Sequence, residues 1–372
     1  MRFLLSLVVL CASLAVSRAD QPAAANSLTP AEIADGWILL FDGKTTFGWD
    51  ISCPAMVKNG QLIFGGETAA KAKTTCSFGP CLLEMMFGPN QDPPRVEFGD
   101  YNATAPSAPN GVAIIHWFPK EFGPNQIDSN GNAGTPKIGQ LVISTEAGKR
   151  ANIAAVKVRP MKMTSLFNGK DLTGWHPYEG PDAKSKFSVT PEGNLHIENG
   201  KGDLQTDKQW ADFLLQIECK TNAPALNSGV FFRCQPNKYQ QGYEAQIQNS
   251  FGPMKDYTIE RYDPQTHALL AKDKVKFNSY DYGTGAIYRR IPARMQACKD
   301  KEWFTMTINA QGRHMGVWVN GLMVTDWTDN RPLNDNARNG CKLDAGNLSL
   351  QGHDPTTNLD FRNIRIVDLA KP

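Results

Sequence analysis

The sequence predicts an all-β protein of two tandem antiparallel β-sandwiches. From Gly36 onward, short segments rich in β-branched and aromatic residues are separated by Gly, Pro, Asn and Asp at intervals of about 8 to 15 residues, which is typical of stacked antiparallel sheets. A helix signal is found only near the start of this region, and one sequence pattern occurs twice. A length of 372 residues is also sufficient for two domains.

Two local signals fix the ends of elements. In Thr29-Pro30-Ala31-Glu32, the Thr suits a helix N-cap, the Pro the first helical position and the Glu the third, which together form a capping box. We therefore expect one short helix at residues 26–34 and little other helix. Near the other end of the chain, Asn320-Gly321 predicts a tight turn between two strands.

The repeated pattern begins with a Phe-x-Gly-Lys turn followed by Gly-Trp. It occurs at Phe41–Lys44 with Gly48-Trp49, and again at Phe167–Lys170 with Gly174-Trp175. Further segments match in the same order: 59–63 with 193–197, 78–83 with 213–215, 111–112 with 229–230, and 154–160 with 361–367. Such self-similarity indicates a duplicated structural unit. We place a first unit at residues 28–161 and a second at 163–370.

The two units differ where the second carries a polar hairpin. At the matching place, the first unit has the apolar segment Ile114–Trp117 and then a run rich in Gly, Asn and Pro at residues 121–139. We therefore expect the first unit to be accessory or structural.

The chain begins like an exported protein. Arg2, an apolar run over residues 3–16 and the small residues before Asp20 are typical of a signal peptide at residues 1–19, with cleavage near Ala19-Asp20. No later stretch approaches the roughly 18 apolar residues of a membrane span. We expect a secreted or periplasmic protein without a membrane anchor.

Composition and charge exclude some partners. The chain has 39 Lys and Arg against 37 Asp and Glu, a formal net charge of +2, so it has no basic field for nucleic acid. Its 41% apolar residues, 32 Gly and 24 Pro are those of a turn-rich globular protein. The sequence gives no indication of oligomeric state.

Seven cysteines lie beyond the predicted leader, and in an exported protein disulfides are the first interpretation. Cys219 and Cys234 end successive strands, and Cys76 with Cys81 could close a small loop. Cys298 and Cys341 lie in late loops, and Cys53 would be left over. Structural zinc is the alternative, but no pair has the two-residue spacing of its usual ligand sets.

The hairpin at residues 227–250 carries the candidate site. Strand alternation places Val230 and Phe232 on one face and Phe231 and Arg233 on the other. In the second strand, Tyr243, Ala245 and Ile247 alternate with Glu244, Gln246 and Gln248. A face of Arg, Glu and Gln among aromatics suits a polyhydroxylated ligand. The alternative is a solvated face with a cross-strand Arg233–Glu244 pair.

Other residues can join this polar face. In the segment 346–353, Leu348 and Leu350 are expected in the core, which leaves Gln351 and His353 near the hairpin. Asn227 at the start of the hairpin and Tyr288 in a later loop can hydrogen-bond a substrate hydroxyl.

The motifs of the second unit resemble those of the 3-keto-disaccharide hydrolase domain family. They occur in order as FNGKDLTGW, GDLQTDKQWADFLLQIE, NSGVFFR, YEAQIQN, GAIY, EWFTMTI, VWVNG, LSLQGHD and FRNIRI. The resemblance implies a concanavalin-like jelly-roll sandwich, a secreted or periplasmic location and action on oxidised glycosides. The first unit resembles a shortened, diverged copy. The segment 329–345 is poor in motifs, so the resemblance does not identify the substrate.

The chemistry of such a substrate suggests roles for the polar residues. A ketone at C3 makes the C2 proton acidic, and the glycosidic oxygen on C1 can then leave by elimination, followed by addition of water. This route needs a base, a stabiliser for the enolate oxygen and an acid. We assign these roles to Glu244, Arg233 and His353. Gln246, Gln248, Asn227, Tyr288 and Gln351 are the predicted saccharide ligands.

Two questions stay open at this stage. A non-catalytic carbohydrate-binding sandwich would use the same polar face. A single divalent cation held by Glu244, His353 and nearby polar groups would stabilise an enolate, although the sequence contains no established metal motif.

Overall fold

The computed structural model describes residues 26–88, 92–99, 101–105, 113–117 and 138–370. The predicted signal peptide and most of the run at 121–139 lie outside these residues. Helix α1 spans Pro30–Asp35. Thr29 is its N-cap, both bonds of the capping box with Glu32 are present, and Gly36 ends the helix with a left-handed φ of 89°. The predicted helix is confirmed.

Eleven strands of the described chain precede residue 161. They are β1 Ile38–Leu39, β2 Trp49–Ile51, β3 Met56–Lys58, β4 Gln61–Gly65, β5 Ala70–Thr74, β6 Cys81–Phe87, β7 Arg95–Phe98, β8 Tyr101–Thr104, β9 Ala113–Trp117, β10 Val142–Thr145 and β11 Arg150–Pro160. They form two sheets, in the orders β3-β4-β11-β6-β9, with β1 also on β11, and β2-β5-β10-β7-β8. Buried Leu62, Phe87 and Ile143 belong to the core of this first sandwich.

Fifteen further strands follow. They are β12 Thr164–Ser165, β13 Trp175–Pro177, β14 Lys186–Val189, β15 Leu195–Glu198, β16 Gly202–Trp210, β17 Phe213–Thr221, β18 Ser228–Cys234, β19 Tyr243–Ile247, β20 Phe251–Tyr262, β21 Leu269–Ser279, β22 Phe304–Gln311, β23 His314–Val319, β24 Leu322–Thr328, β25 Gly346–Gly352 and β26 Asn358–Asp368. One sheet has the order β14-β15-β26-β17-β22-β23-β24, with β12 also on β26, and the other β13-β16-β25-β18-β19. A separate hairpin pairs β20 with β21.

The described chain is all-β, with two jelly-roll sandwiches of the concanavalin-like type. The strand orders correspond one to one, except that the second sandwich adds β23 and β24 to its larger sheet. The repeated turn also matches. Trp49 donates a hydrogen bond from its indole Nε1 to Leu40 O, and Trp175 donates the corresponding bond to Leu166 O. Residues 111–112, which the sequence matched with 229–230, lie outside the described residues, so this match stays a prediction. The strand that follows them, β9, lies beside β6 and corresponds in strand order to β22.

The added strands β23 and β24 pack against the first sandwich. Trp318 on β23 is buried with the core of the first sandwich, and its Nε1 donates to Leu39 O at 2.9 Å. The backbone N–H of Leu39 donates to Gly321 O at 2.8 Å. Arg294 forms a 2.8 Å ion pair with Asp42. The two halves therefore share a packed interface.

The seven cysteines of the described chain are free thiols. The proposed disulfides are therefore wrong in this structure. Cys219 lies on β17 in the larger sheet and Cys234 on β18 in the smaller one. The two cysteines are therefore not side by side in one sheet. Within the described residues, no helix is long and apolar enough to cross a membrane.

Candidate functional site

A row of polar residues lies on the outer face of the smaller sheet of the second sandwich. Leu204, Leu350, Val230 and Ala245 pair across β16, β25, β18 and β19 and belong to the core. Their neighbours along each strand face away from the core. We call the following residues the polar row: Asp203, Gln205, Ser349, Gln351, Glu244 and Gln246. All six are less than 5% exposed, so loops cover this face and it is not an ordinary solvated surface.

A cavity of about 340 Å³ lies over the polar row. This volume falls in the range of about 300–1,000 Å³ that is usual for ligand sites. Its lining consists of Asn227, Gln240, Gln241, Glu244, Tyr288, Arg289, Arg290, Arg338, Asn339, Gln351 and His353. Three arginines and one carboxylate give the lining an excess of positive charge. We call this the sugar pocket, after the ligand that the sequence predicts for it.

Glu244 lies at the floor of the sugar pocket and is 4% exposed. It pairs with Phe231 across the hairpin, and Gly229 on the same face leaves room for its side chain. A Cβ at Gly229 would lie 2.8 Å from Cγ and Oε1 of Glu244. A side chain at position 229 would therefore displace the Glu244 carboxylate from this position.

Arg338 holds the Glu244 carboxylate in place. Its Nη2 donates to Oε2 at 2.9 Å, and its Nε donates to Gln240 O at 2.8 Å. Burial raises the pKa of Glu244 from 4.5 to about 7, against the opposing charge and hydrogen bond of Arg338 and the charge of His353. A carboxyl group with a pKa near neutrality can act as a general base or acid at ordinary pH.

His353 follows the last residue of β25 and is oriented from two sides. Its Nδ1 lies 2.8 Å from Oδ2 of Asp354, and its backbone N–H donates to Thr357 Oγ1. An ionised carboxylate only accepts, so Nδ1 carries a proton and Nε2 is directed elsewhere. Burial raises the pKa of Asp354, but hydrogen bonds from Thr356 and His353 lower it below its ordinary value. Asp354 therefore stays ionised beside the imidazole.

Asn227 connects His353 to the polar row. Its Nδ2 lies 3.5 Å from His353 Nε2, and its Oδ1 accepts from Gln246 Nε2 at 3.2 Å. The Oε1 atom of Gln246 is buried and has no hydrogen-bond partner among the described residues. A buried amide oxygen in this position is an acceptor for a ligand hydroxyl.

Asp203 is a second buried carboxyl group of the polar row, and sequence reasoning missed it. It pairs with Gln351 across β16 and β25, and its Oδ2 accepts from the backbone N–H of Gln240 at 2.8 Å. Burial raises its pKa to about 7, and the charge of Glu244 adds to this. The alternation around Leu204 could have identified it.

Arg233 does not reach the sugar pocket, so its predicted role is wrong. The pairing of β18 with β25 shifts between Phe231 and Cys234, and Arg233 has a left-handed φ of 50°. This bulge interrupts the alternation and turns the side chain into the protein. The guanidinium is fully buried, donates to three backbone carbonyls and pairs with Asp212 at 3.0 Å. The alternative Arg233–Glu244 pair is also absent, since Arg338 occupies that place.

Of the remaining predicted residues, five line the sugar pocket and two do not. Asn227, Glu244, Tyr288, Gln351 and His353 all line the sugar pocket, and their roles stay predictions. Gln246 contacts the lining through Asn227. Gln248 lies beyond the end of β19, donates to Ala225 O and accepts from Ser250 N, so it fixes loops instead of binding a ligand.

The arginines of the pocket could not be found from sequence pattern. Arg338 comes from the motif-poor segment 329–345, and Arg289 and Arg290 from the turn after Tyr288. Arg289 makes no ion pair or hydrogen bond with the rest of the described chain, and its guanidinium carbon lies 5.4 Å from the Tyr288 ring centroid. It is therefore available to an anionic or strongly polar ligand.

A larger concavity of about 650 Å³ lies elsewhere on the second sandwich, bordered by Trp303 and β26. Two of its charged groups already have partners, because Arg362 pairs with Glu218 and Asp360 with His196. The guanidinium of Arg362 also covers the Trp303 ring at 4.0 Å. The sugar pocket is the better candidate for chemistry, although it is smaller.

The predicted divalent cation at Glu244 and His353 stays a prediction. Among the described residues, three side chains with suitable ligand atoms lie close enough together to hold an ion. This group is outside the sugar pocket.

Comparison with known proteins adds a family match. The profile described as a 3-keto-alpha-glucoside-1,2-lyase-like domain matches residues 162–367. Two structures of provisional glycosyl hydrolases from Parabacteroides distasonis are 23% and 24% identical, with TM-scores of 0.41 and 0.38. Each covers 56% of this chain, together with 94% and 100% of its own. The carbohydrate binding module CBM66 from Bacillus subtilis is 13% identical, with a TM-score of 0.32, over 51% of this chain and 93% of its own. No curated protein matches the chain. The family match covers the whole sugar pocket.

Proposed function

Because this chain belongs to the 3-keto-alpha-glucoside-1,2-lyase-like family, we propose that it cleaves the glycosidic bond of 3-keto-glycosides in the sugar pocket. The observation that supports this most strongly is the Glu244 carboxyl group. It is buried, faces the cavity and has a pKa of about 7. A base of this kind is what abstraction of the C2 proton requires.

The first step transfers the C2 proton of the substrate to Glu244. The electron pair of the C2–H bond moves to form a C2–C3 double bond, and the C3 oxygen becomes an enolate. Arg338 and Arg289 replace Arg233 as the cations that stabilise this oxygen, because both line the cavity that holds Glu244.

The second step breaks the C1–O bond. The C3 carbonyl reforms, a C1–C2 double bond appears, and His353 donates a proton to the departing oxygen. The contact of His353 Nδ1 with Asp354 orients the imidazole ring and leaves Nε2 as the nitrogen that can donate this proton. Addition of water across the new double bond, with the hydroxyl at C1, completes net hydrolysis.

An assay with matched substrates tests the proposal. The protein is incubated with a 3-keto-glucoside and with the same glucoside carrying an ordinary C3 hydroxyl. We expect release of the aglycone from the ketone only, because the C2 proton of the alcohol is not acidic. If the folded protein binds both sugars and releases neither aglycone, the alternative of a carbohydrate-binding protein holds and the proposed reaction does not.

A further inference from the structure

Three side chains with metal-binding atoms meet between the two sandwiches, and none of them lines the sugar pocket. Cys76 lies in the first sandwich between β5 and β6, whereas His314 on β23 and Asp326 on β24 belong to the second. Their ligand atoms all lie within 4.8 Å of one another. The loop of one sandwich therefore meets the added strands of the other at this cluster.

The strand register explains why two of these residues share a face. β23 and β24 pair Gly316 with Asp326 and His314 with Thr328, so His314, Gly316 and Asp326 point to the same side of the sheet. Gly316 leaves the space that the thiol occupies, because a Cβ there would lie 2.5 Å from the Sγ of Cys76. The thiol approaches the sheet as closely as a glycine permits.

The orientation of His314 is that of a metal ligand. Its Nδ1 lies 2.9 Å from Oγ1 of Thr328, which fixes the ring and directs Nε2 to the cluster. Metal-bound histidines are usually held in orientation by a hydrogen bond of their second nitrogen.

Two atoms of the cluster also lack the hydrogen bonds that buried polar atoms require. His314 Nε2 and Asp326 Oδ1 are both buried, and neither has a hydrogen-bond partner among described residues, although they lie 2.9 Å apart. Their separation suits an ion pair, but their directions do not form a hydrogen bond. Two ligands that point to one ion between them have this arrangement, and an ion would satisfy both.

We infer that Cys76, His314 and Asp326 bind one zinc ion that joins the two sandwiches. Thiolate, imidazole and carboxylate are the donor types that Zn²⁺ accepts, whereas Ca²⁺ and Mg²⁺ prefer oxygen alone. A thiolate and a carboxylate together neutralise the ion, which suits a buried interface. Binding displaces the thiol proton, so zinc affinity increases with pH.

Metal content measured on the whole protein tests the inference. The purified protein is stripped with a chelator, dialysed against Zn²⁺ and analysed by mass spectrometry of the metal. We expect one zinc per chain for the unaltered protein. In Cys76→Ala and Asp326→Asn, each of which lacks one ligand, the dissociation constant for zinc should rise by about 100-fold, the upper end of the loss known for weaker outer-shell changes. Zinc also raises the unfolding temperature of the unaltered protein but not of these variants.

Two control variants make the result specific. Cys81→Ala removes another buried thiol of the first sandwich that is not in the cluster, and it should keep zinc. His353→Ala alters the sugar pocket and should keep zinc as well. The inference is overturned if the unaltered protein binds no zinc, or if Cys76→Ala binds as tightly as Cys81→Ala. Loss of zinc in His353→Ala with retention in Cys76→Ala would place the ion in the sugar pocket and would equally overturn it.

Discussion

The smaller sheets of the two sandwiches have the same strand order, but their outer faces differ in how far they are exposed to solvent. In the first sandwich, Lys73 pairs with Asp50 and Arg95 with Glu97, and the Arg95 and Glu97 side chains are 56% and 48% exposed. In the second, the corresponding strands carry the polar row, which is buried. The scaffold alone therefore does not make a site. The site arises where loops cover a polar sheet face and change the pKa of its carboxyl groups.

The largest expected effect is a difference in activity between glutamate variants of the two sheet faces. Glu244→Gln should lower the rate of cleavage of a 3-keto-glucoside by about 10²–10⁴-fold, because it removes the general base. Glu97→Gln, in the corresponding sheet of the first sandwich, should leave the rate unchanged. Initial rates of aglycone release measure both. Similar rates for Glu244→Gln and the unaltered protein would exclude Glu244 as the base.

The next largest expected effect is a difference in stability between an arginine variant of the second sandwich and one of the first. Arg233→Met should reduce the free energy of unfolding by about 3 kcal/mol, because it leaves Asp212 and three carbonyls without their buried donor. Arg95→Met removes an exposed pair and should change stability by less than about 1 kcal/mol. Urea denaturation measures these values. If the Arg233→Met protein has normal stability but no activity, Arg233 has the role in the site that the sequence predicted.

The pKa of Glu244 predicts a third difference. The folded protein keeps the Glu244 proton up to a pH of about 7, whereas the unfolded chain releases it near 4.5. Between these values the folded state binds more protons, so stability falls as pH rises through this window. At pH 8, Glu244→Gln should be more stable than the unaltered protein by about 1–3 kcal/mol.

This difference should disappear below pH 4.5, where Glu244 is protonated in both states. Urea denaturation of the two proteins at pH 4 and pH 8 measures it. An equal difference at both pH values would show that burial does not raise the pKa of Glu244. Activity should rise with pH up to about 7 as Glu244 ionises.

The smallest expected effect concerns the space beside Glu244. Gly229→Ala should lower the cleavage rate by about tenfold, because the new Cβ would displace the Glu244 side chain. At Gly139, in the first sandwich, the nearest atom to a new Cβ is at 3.6 Å, an ordinary contact. Gly139→Ala should therefore have little effect. Equal rates for both variants would show that the position of Glu244 is not critical.

The sequence predicted the features that depend on neighbours along the chain. The capping box at Thr29 gives the helix, and the Asn320-Gly321 turn adopts the predicted left-handed angles, with φ of 48° and 76°. The Phe-x-Gly-Lys turns at residues 41 and 167 correspond in hydrogen bonding as well as in sequence. Such signals act over a few residues, so a single sequence is sufficient to detect them.

The parts of the site that sequence did not predict depend on distant contacts. Arg338 reaches Glu244 from a loop without a regular pattern. Arg233 leaves the polar face because of a bulge, and alternation cannot show where a strand is interrupted. The burial that raises the pKa of Glu244 is also a property of the assembled loops. Asp203, in contrast, follows the alternation of β16, so the sequence pattern is sufficient to predict its place on the polar face.

The fate of the C2 hydrogen tests the central claim most directly. A 3-keto-glucoside with deuterium at C2 is cleaved in ordinary water, and the sugar product is examined by NMR, with Glu244→Gln as the control for spontaneous exchange. The account predicts that the product loses its deuterium and that the unaltered protein reacts more slowly with the deuterated substrate. Cleavage at an equal rate with the deuterium retained would contradict the proposed elimination.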